Sequence, residues 1–120
     1  MKRVLVAVPD LLFSVQIANA VRAAGGEPLT IRRGEEAHTA LAAGAQTYPD
    51  AVIVDLSARM DPPAVIQAAV ARHLPVFAFG SHLETEAIRA AREAGADKVV
   101  SNGALAETLP RWLAGQIVNS

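Results

Sequence analysis

Three runs along this chain are apolar at every position: Val4-Leu5-Val6-Ala7-Val8, Ala51-Val52-Ile53-Val54 and Val76-Phe77-Ala78-Phe79. A strand with one face in water alternates apolar and polar residues. An unbroken run therefore predicts a strand buried on both faces, as in a parallel sheet. The intervening segments change to helical spacing. Strand one is read from Arg3 to Val8. Helix one follows from Leu11 to Ala24, with Leu12, Val15, Ala18, Val21 and Arg22 in phase and Gly25-Gly26 as its stop. Strand two, Glu27 to Ile31, is less apolar and contains Pro28, which suits an edge. Helix two runs from Glu35 to about Ala43 and stops at Gly44. Strand three spans Ala51 to Leu56. Asp61-Pro62 predicts an N-cap with proline in the first turn, opening helix three through Arg72. Strand four is Val76 to Phe79. Ser81-His82-Leu83-Glu84 has the spacing of a capping box before helix four, which Gly95 ends. Strand five is Lys98 to Ser101. Helix five runs from Leu105 to Ile117 on a stripe of Leu105, Leu109, Trp112 and Leu113, and the residues after Ile117 are expected to fray.

Five strand-then-helix units with short connections predict right-handed crossovers and a parallel sheet covered on both faces. The expected architecture is α/β: a flavodoxin-like (βα)5 three-layer sandwich with strand order 2-1-3-4-5, residues 1–120 forming one domain. In such sheets ligands sit outside the carboxyl ends of the strands at the switch in strand order, here between strands one and three. That places Val8 to Asp10 and Asp55 around one crevice.

Composition narrows the partners. The 120 residues carry a formal net charge of −1, which leaves no electrostatic footprint for nucleic acid or an anionic membrane. No cysteine is present, which excludes disulfides, thiol catalysis and Cys-ligated metals. The first apolar run is far too short to span a bilayer, and a cytoplasmic location is expected.

Asp55, at the end of strand three, is the one carboxylate closing a buried run. Around it the strand ends gather Asp10, Ser81, His82 and Asn102 as crevice candidates. Each also has a plain structural role: Asp10, Ser81 and Asn102 as N-caps, and Asp55 as a hydrogen-bond acceptor that fixes its loop. His82 lacks spaced partners for a metal, and His38 and His73 are expected to face solvent. Trp112 is expected to lie mostly buried between helix five and the sheet. The turn after strand one has no glycines for a dinucleotide fingerprint or a P-loop, and no G-x-S-x-G elbow exists. Nothing here points to an enzyme.

The whole chain resembles the receiver domains of response regulators, the CheY-like family. The resemblance rests on the five-fold βα pattern and on Pro49-Asp50 ahead of Asp55. Pro75-Val76-Phe77-Ala78 opening strand four and Ala94-Gly95-Ala96-Asp97 before strand five complete it. It implies that Asp55 matches the phospho-acceptor. It also implies an acidic pair for magnesium after strand one, a Ser/Thr after strand four and a lysine after strand five. In this chain those positions hold Val8 and Pro9, Gly80 and Asn102, and the usual proline after the lysine is Gly103. The nearest cations by sequence are Lys98 and Arg59. The leading expectation is a stand-alone pseudo-receiver, independent of phosphorylation and without a cofactor. It would act by contact with a protein such as a sensor kinase or output protein, with helix four, strand five and helix five as a surface for partners or a homodimer. One alternative is a true phospho-receiver, with Asp55 as acceptor and Asp10 and Asp55 holding magnesium. Another is a small-ligand or nucleotide-binding flavodoxin-like module using Asp10, Asp55, Ser81 and His82.

Overall fold

In the computed structural model, residues 1–42, 44, 45 and 48–117 are described; the expected helix-two end at Ala43 and the residues after Ile117 lie outside them. Among the described residues five strands form one sheet: β1 (Arg3–Ala7), β2 (Glu27–Ile31), β3 (Ala51–Asp55), β4 (Val76–Gly80) and β5 (Lys98–Ser101). Every pairing is parallel and the order is β2-β1-β3-β4-β5, as the sequence predicts. The helices are α1 (Leu11–Ala23), α2 (Gly34–Leu41), α3 (Pro62–Ala71), α4 (Thr85–Ala94) and α5 (Leu105–Ile117). Two 3₁₀ turns, Ala58–Met60 and Asn102–Ala104, precede α3 and α5. None of these helices is long and apolar enough to cross a membrane.

The unbroken apolar runs are explained by two cores, one on each face of the sheet. Leu5, Ala7, Val52, Val54, Val76 and Ala78 point toward α2, α3 and α4. Val4, Val6, Val8, Ile53, Phe77 and Phe79 point toward α1 and α5. Alternate residues of one strand thus serve different cores, and each buried Val, Leu, Ile or Phe is worth roughly 1.5–3 kcal/mol. β2 and β5 are the edges and are partly exposed; Pro28 sits on β2, where its missing N–H disturbs no inner ladder. Two aspartates from the family-like motifs tie strand beginnings. Asp50 Oδ2 accepts from Arg3 N–H at 2.8 Å, and Asp97 Oδ2 accepts from Val76 N–H at 2.6 Å. Both lie at the amino ends of the strands, away from the rim that carries Asp55.

Several local expectations are corrected. The buried face of α1 is Ser14, Ile17, Ala18 and Val21, whereas Leu12 and Val15 are 83% and 53% exposed, and Leu11 and Arg22 are exposed too. Leu11, Leu12, Phe13 and Val15 spread apolar side chains over most of the start of α1, so spacing alone admits two faces. Packing of Phe13 against Phe79, with ring centroids 5.6 Å apart, selects one. Trp112 is only partly buried. Leu105, Leu109, Leu113 and Ile117 form the buried seam of α5, and the indole flanks it, 5.4 Å from the Phe77 ring. The Ser81 capping box does not form. Ser81 Oγ accepts from Leu83 N–H at 3.2 Å and its carbonyl accepts from Glu84 N–H, closing a turn, so α4 begins only at Thr85. Asn102 opens the 3₁₀ turn, and Asp61 occupies the N-cap position of α3 without a side-chain cap bond.

Candidate functional site

The carboxyl ends of β1, β3 and β5 meet around a depression of about 300 Å³ lined by Pro9, Asp10, Phe13, Asp55, Ser57, Arg59 and Asn102. Strand parity explains the meeting. Asp55 follows Ile53 by two residues and so faces the α1/α5 side, where Asp10 ends the turn after β1 and Asn102 the one after β5. Three of the residues expected there, Asp10, Asp55 and Asn102, are brought together. Ser81 and His82 are not among the lining residues; Ser81 is held in its turn, and His82 is exposed.

Asp10 is already committed: its Oδ1 accepts from Phe13 N–H at 2.9 Å, capping α1 as expected. Asp55 is half-buried, and its Oδ1 accepts from Ser57 N–H at 2.9 Å. Burial pushes its pKa above the ordinary 3.8; the Ser57 N–H opposes this, and the negative charges of Asp10 and Glu84 add to it. Among the described residues Asp55 has no ion-pair partner. Arg59 reaches the same depression but is exposed, and Lys98 begins β5 at the opposite end of the sheet.

The residues present do not fit the magnesium site that the resemblance implies. Magnesium demands near-octahedral oxygen ligands, and the two positions that would supply its acidic pair are Pro9 and the buried Val8, whose side chains carry no oxygen. Among the described residues no group of three or more His, Asp or Glu could hold a metal. Packing has also closed the hydroxyl position. At Gly80 an added Cβ would stand 2.9 Å from Leu56 Cβ and 3.2 Å from Leu56 Cδ1. Leu56 is buried and occupies the space a Ser or Thr side chain would need. Sequence reasoning missed Ser57 and Leu56. The Asp-x-Ser spacing of an Asx turn signals the first; nothing local signals the second.

No protein-family model matches the chain, and no curated protein matches it. Solved structures do. The receiver domain of NtrX from Brucella abortus is similar at a TM-score of 0.80 and 21% identity, covering 98% of this chain and 99% of that one. A two-component response regulator from Clostridium difficile is similar at 0.80 and 15% identity over 100% of both chains. A CheY-like receiver domain protein from Methanospirillum hungatei gives 0.74 and 16% identity over 100% of this chain and 99% of that one. At these identities the likeness is one of fold: the chain has the architecture of a receiver domain.

Proposed function

We propose that this chain is a pseudo-receiver, a regulatory module of the cytoplasm that works through protein contact without taking phosphoryl on Asp55. The observation that carries this reading is the charge around Asp55. A phosphoryl group adds roughly −1.5 to −2 charges at neutral pH. Here it would arrive beside Asp10 and Glu84, both of which already oppose ionisation of Asp55. The lysine position is Asn102, and the hydroxyl position is filled by Leu56. No enzymatic role is proposed.

Contact groups are available on the same rim. Leu11, Leu12 and Val15 are 60%, 83% and 53% exposed and share one side of α1 through i, i+3 and i, i+4 spacing. The face formed by α4, β5 and α5 is more polar and carries the ion pairs Arg89–Glu86 and Arg111–Glu107. The apolar side of α1 is therefore the better-supported partner surface, ahead of the surface expected from the sequence.

Incubation with acetyl phosphate and magnesium, followed by intact-mass measurement, tests the chemistry. The expected result is an unchanged mass. Stoichiometric addition that disappears in Asp55→Asn would make the chain a phospho-receiver and overturn the proposal.

A further inference from the structure

A second depression, of about 410 Å³, lies on the rim beside the Asp55 crevice, and Pro9, Arg32, Arg33, Glu35 and Arg59 line it. Segments far apart in sequence build it. Arg32 and Arg33 come from the turn after β2, and Arg59 from the 3₁₀ turn after β3. Gly34 lets them approach: a Cβ there would stand 2.9 Å from the Met60 carbonyl oxygen.

Of the two acids that follow the paired arginines, Glu35 lines the depression with them and Glu36 is held by backbone N–H groups. Glu36 Oε1 accepts from the backbone N–H groups of Arg32 at 3.2 Å and Arg33 at 3.1 Å. All three arginine side chains are exposed, and none is ion-paired among the described residues, whereas Arg3, Arg89 and Arg111 each have a glutamate partner. Three guanidinium groups and Glu35 give the depression a charge of +3 − 1 = +2, in a chain whose net charge is −1. A phosphate monoester carries roughly −1.5 to −2 charges at neutral pH and matches the guanidinium fork in geometry. The volume falls within the range of small-molecule pockets, roughly 300–1,000 Å³, with room for a sugar or nucleoside behind the phosphate.

We propose that Arg32, Arg33 and Arg59 bind the phosphate of a small phosphate monoester, of nucleoside monophosphate size, in this depression. Asp55 takes no part, so the site stands or falls independently of the pseudo-receiver reading.

Calorimetric titration of the full chain at low ionic strength tests it, with 5′-AMP, ribose 5-phosphate, adenosine and a phosphoserine peptide as probes. The two phosphate esters are expected to bind and adenosine is not. Arg32→Gln, Arg33→Gln and Arg59→Gln should each weaken Kd about tenfold or more, because each removes a charge-assisted contact. Arg111→Gln, on α5, should leave Kd unchanged. These arginines are exposed, and circular dichroism should show each variant folded. Absence of saturable binding up to about 10 mM AMP would overturn the proposal. So would equal binding of adenosine, unchanged affinity in the three variants, or tighter binding of the phosphoserine peptide than of AMP.

Discussion

Returning a side chain to position 80 is the most direct probe of how this rim departs from the receiver pattern. Gly80 ends β4 opposite Ser101 in β5, and its φ is not positive, so the backbone itself accepts alanine. The obstacle is Leu56. A Cβ at 80 would meet Leu56 Cβ at 2.9 Å, Cδ1 at 3.2 Å and Cγ at 3.4 Å. Carbon atoms pack best at about 3.5–4.0 Å, so a gap of several tenths of an ångström must open. Rotation about χ1 cannot move Leu56 Cβ, and Leu56 N–H is bonded to the Phe79 carbonyl at 2.9 Å. Overpacking of this kind costs about 1–3 kcal/mol, offset by about 0.5–1 kcal/mol for replacing glycine in a strand.

The expected net loss for Gly80→Ala is about 1–2 kcal/mol in urea unfolding followed by circular dichroism. A double-mutant cycle isolates the cause. Leu56→Gly, which removes the Cβ as well as Cγ and Cδ1, should cost about 2–5 kcal/mol for the lost side chain plus about 0.5–1 kcal/mol for the freer backbone, and in that background Gly80→Ala should become neutral or stabilising. The coupling should therefore exceed about 1 kcal/mol. A neutral or stabilising Gly80→Ala in the parent chain would refute the reasoning, as would a coupling below about 0.5 kcal/mol. If the cycle closes as expected, a hydroxyl can return to position 80 only after room is made at 56.

Two further predictions follow from the same rim. The pKa of Asp55 is raised above its ordinary 3.8 by burial and by neighbouring acids. Between its unfolded and folded pKa values the folded chain binds more protons, so the Asp55 contribution to stability falls as pH rises through that window. Asp55→Asn should therefore be more stable than the parent near neutral pH, with the difference vanishing as pH falls below 3.8; an equally large difference at both ends would refute it. Leu11→Ser/Leu12→Ser should leave the unfolding free energy from urea titration within about 0.5 kcal/mol of the parent, because both side chains are exposed. A loss above about 2 kcal/mol would make these leucines part of the core and remove them as partner contacts.

The sheet was legible because both-face burial leaves a signal within each strand: Val4 to Val8, Ala51 to Val54 and Val76 to Phe79 need no distant information to be read. Asp10 as a cap and Asp55 at a strand end are equally local, and topology then brings them together. Helix facing was less legible where apolar residues surround the axis, as at Leu11, Leu12, Phe13 and Val15; the contact of Phe13 with Phe79 decides it from outside the helix. Ser81 and Glu84 show the converse, a motif with the right spacing whose helix starts later. The contacts that shape the rim are non-local. Leu56 over Gly80 joins two strand ends, and Gly34 against Met60 carries Arg32 and Arg33 to Arg59. Neither pair leaves a periodic trace, because each is set by how one loop rests on another.

The rim is consequently divided by charge. On one side burial, and after it the negative charges of Asp10 and Glu84, raises the Asp55 pKa, and those same charges make the crevice unfavourable for an anion. On the other side Arg32 and Arg33 share a depression with Glu35 and form no ion pair among the described residues. Pro9 and Arg59 line both depressions and form the border between them. Positive charge on this rim thus lies mainly toward β2, on Arg32 and Arg33, and among the described residues Arg59 is the one arginine that also lines the crevice of Asp55.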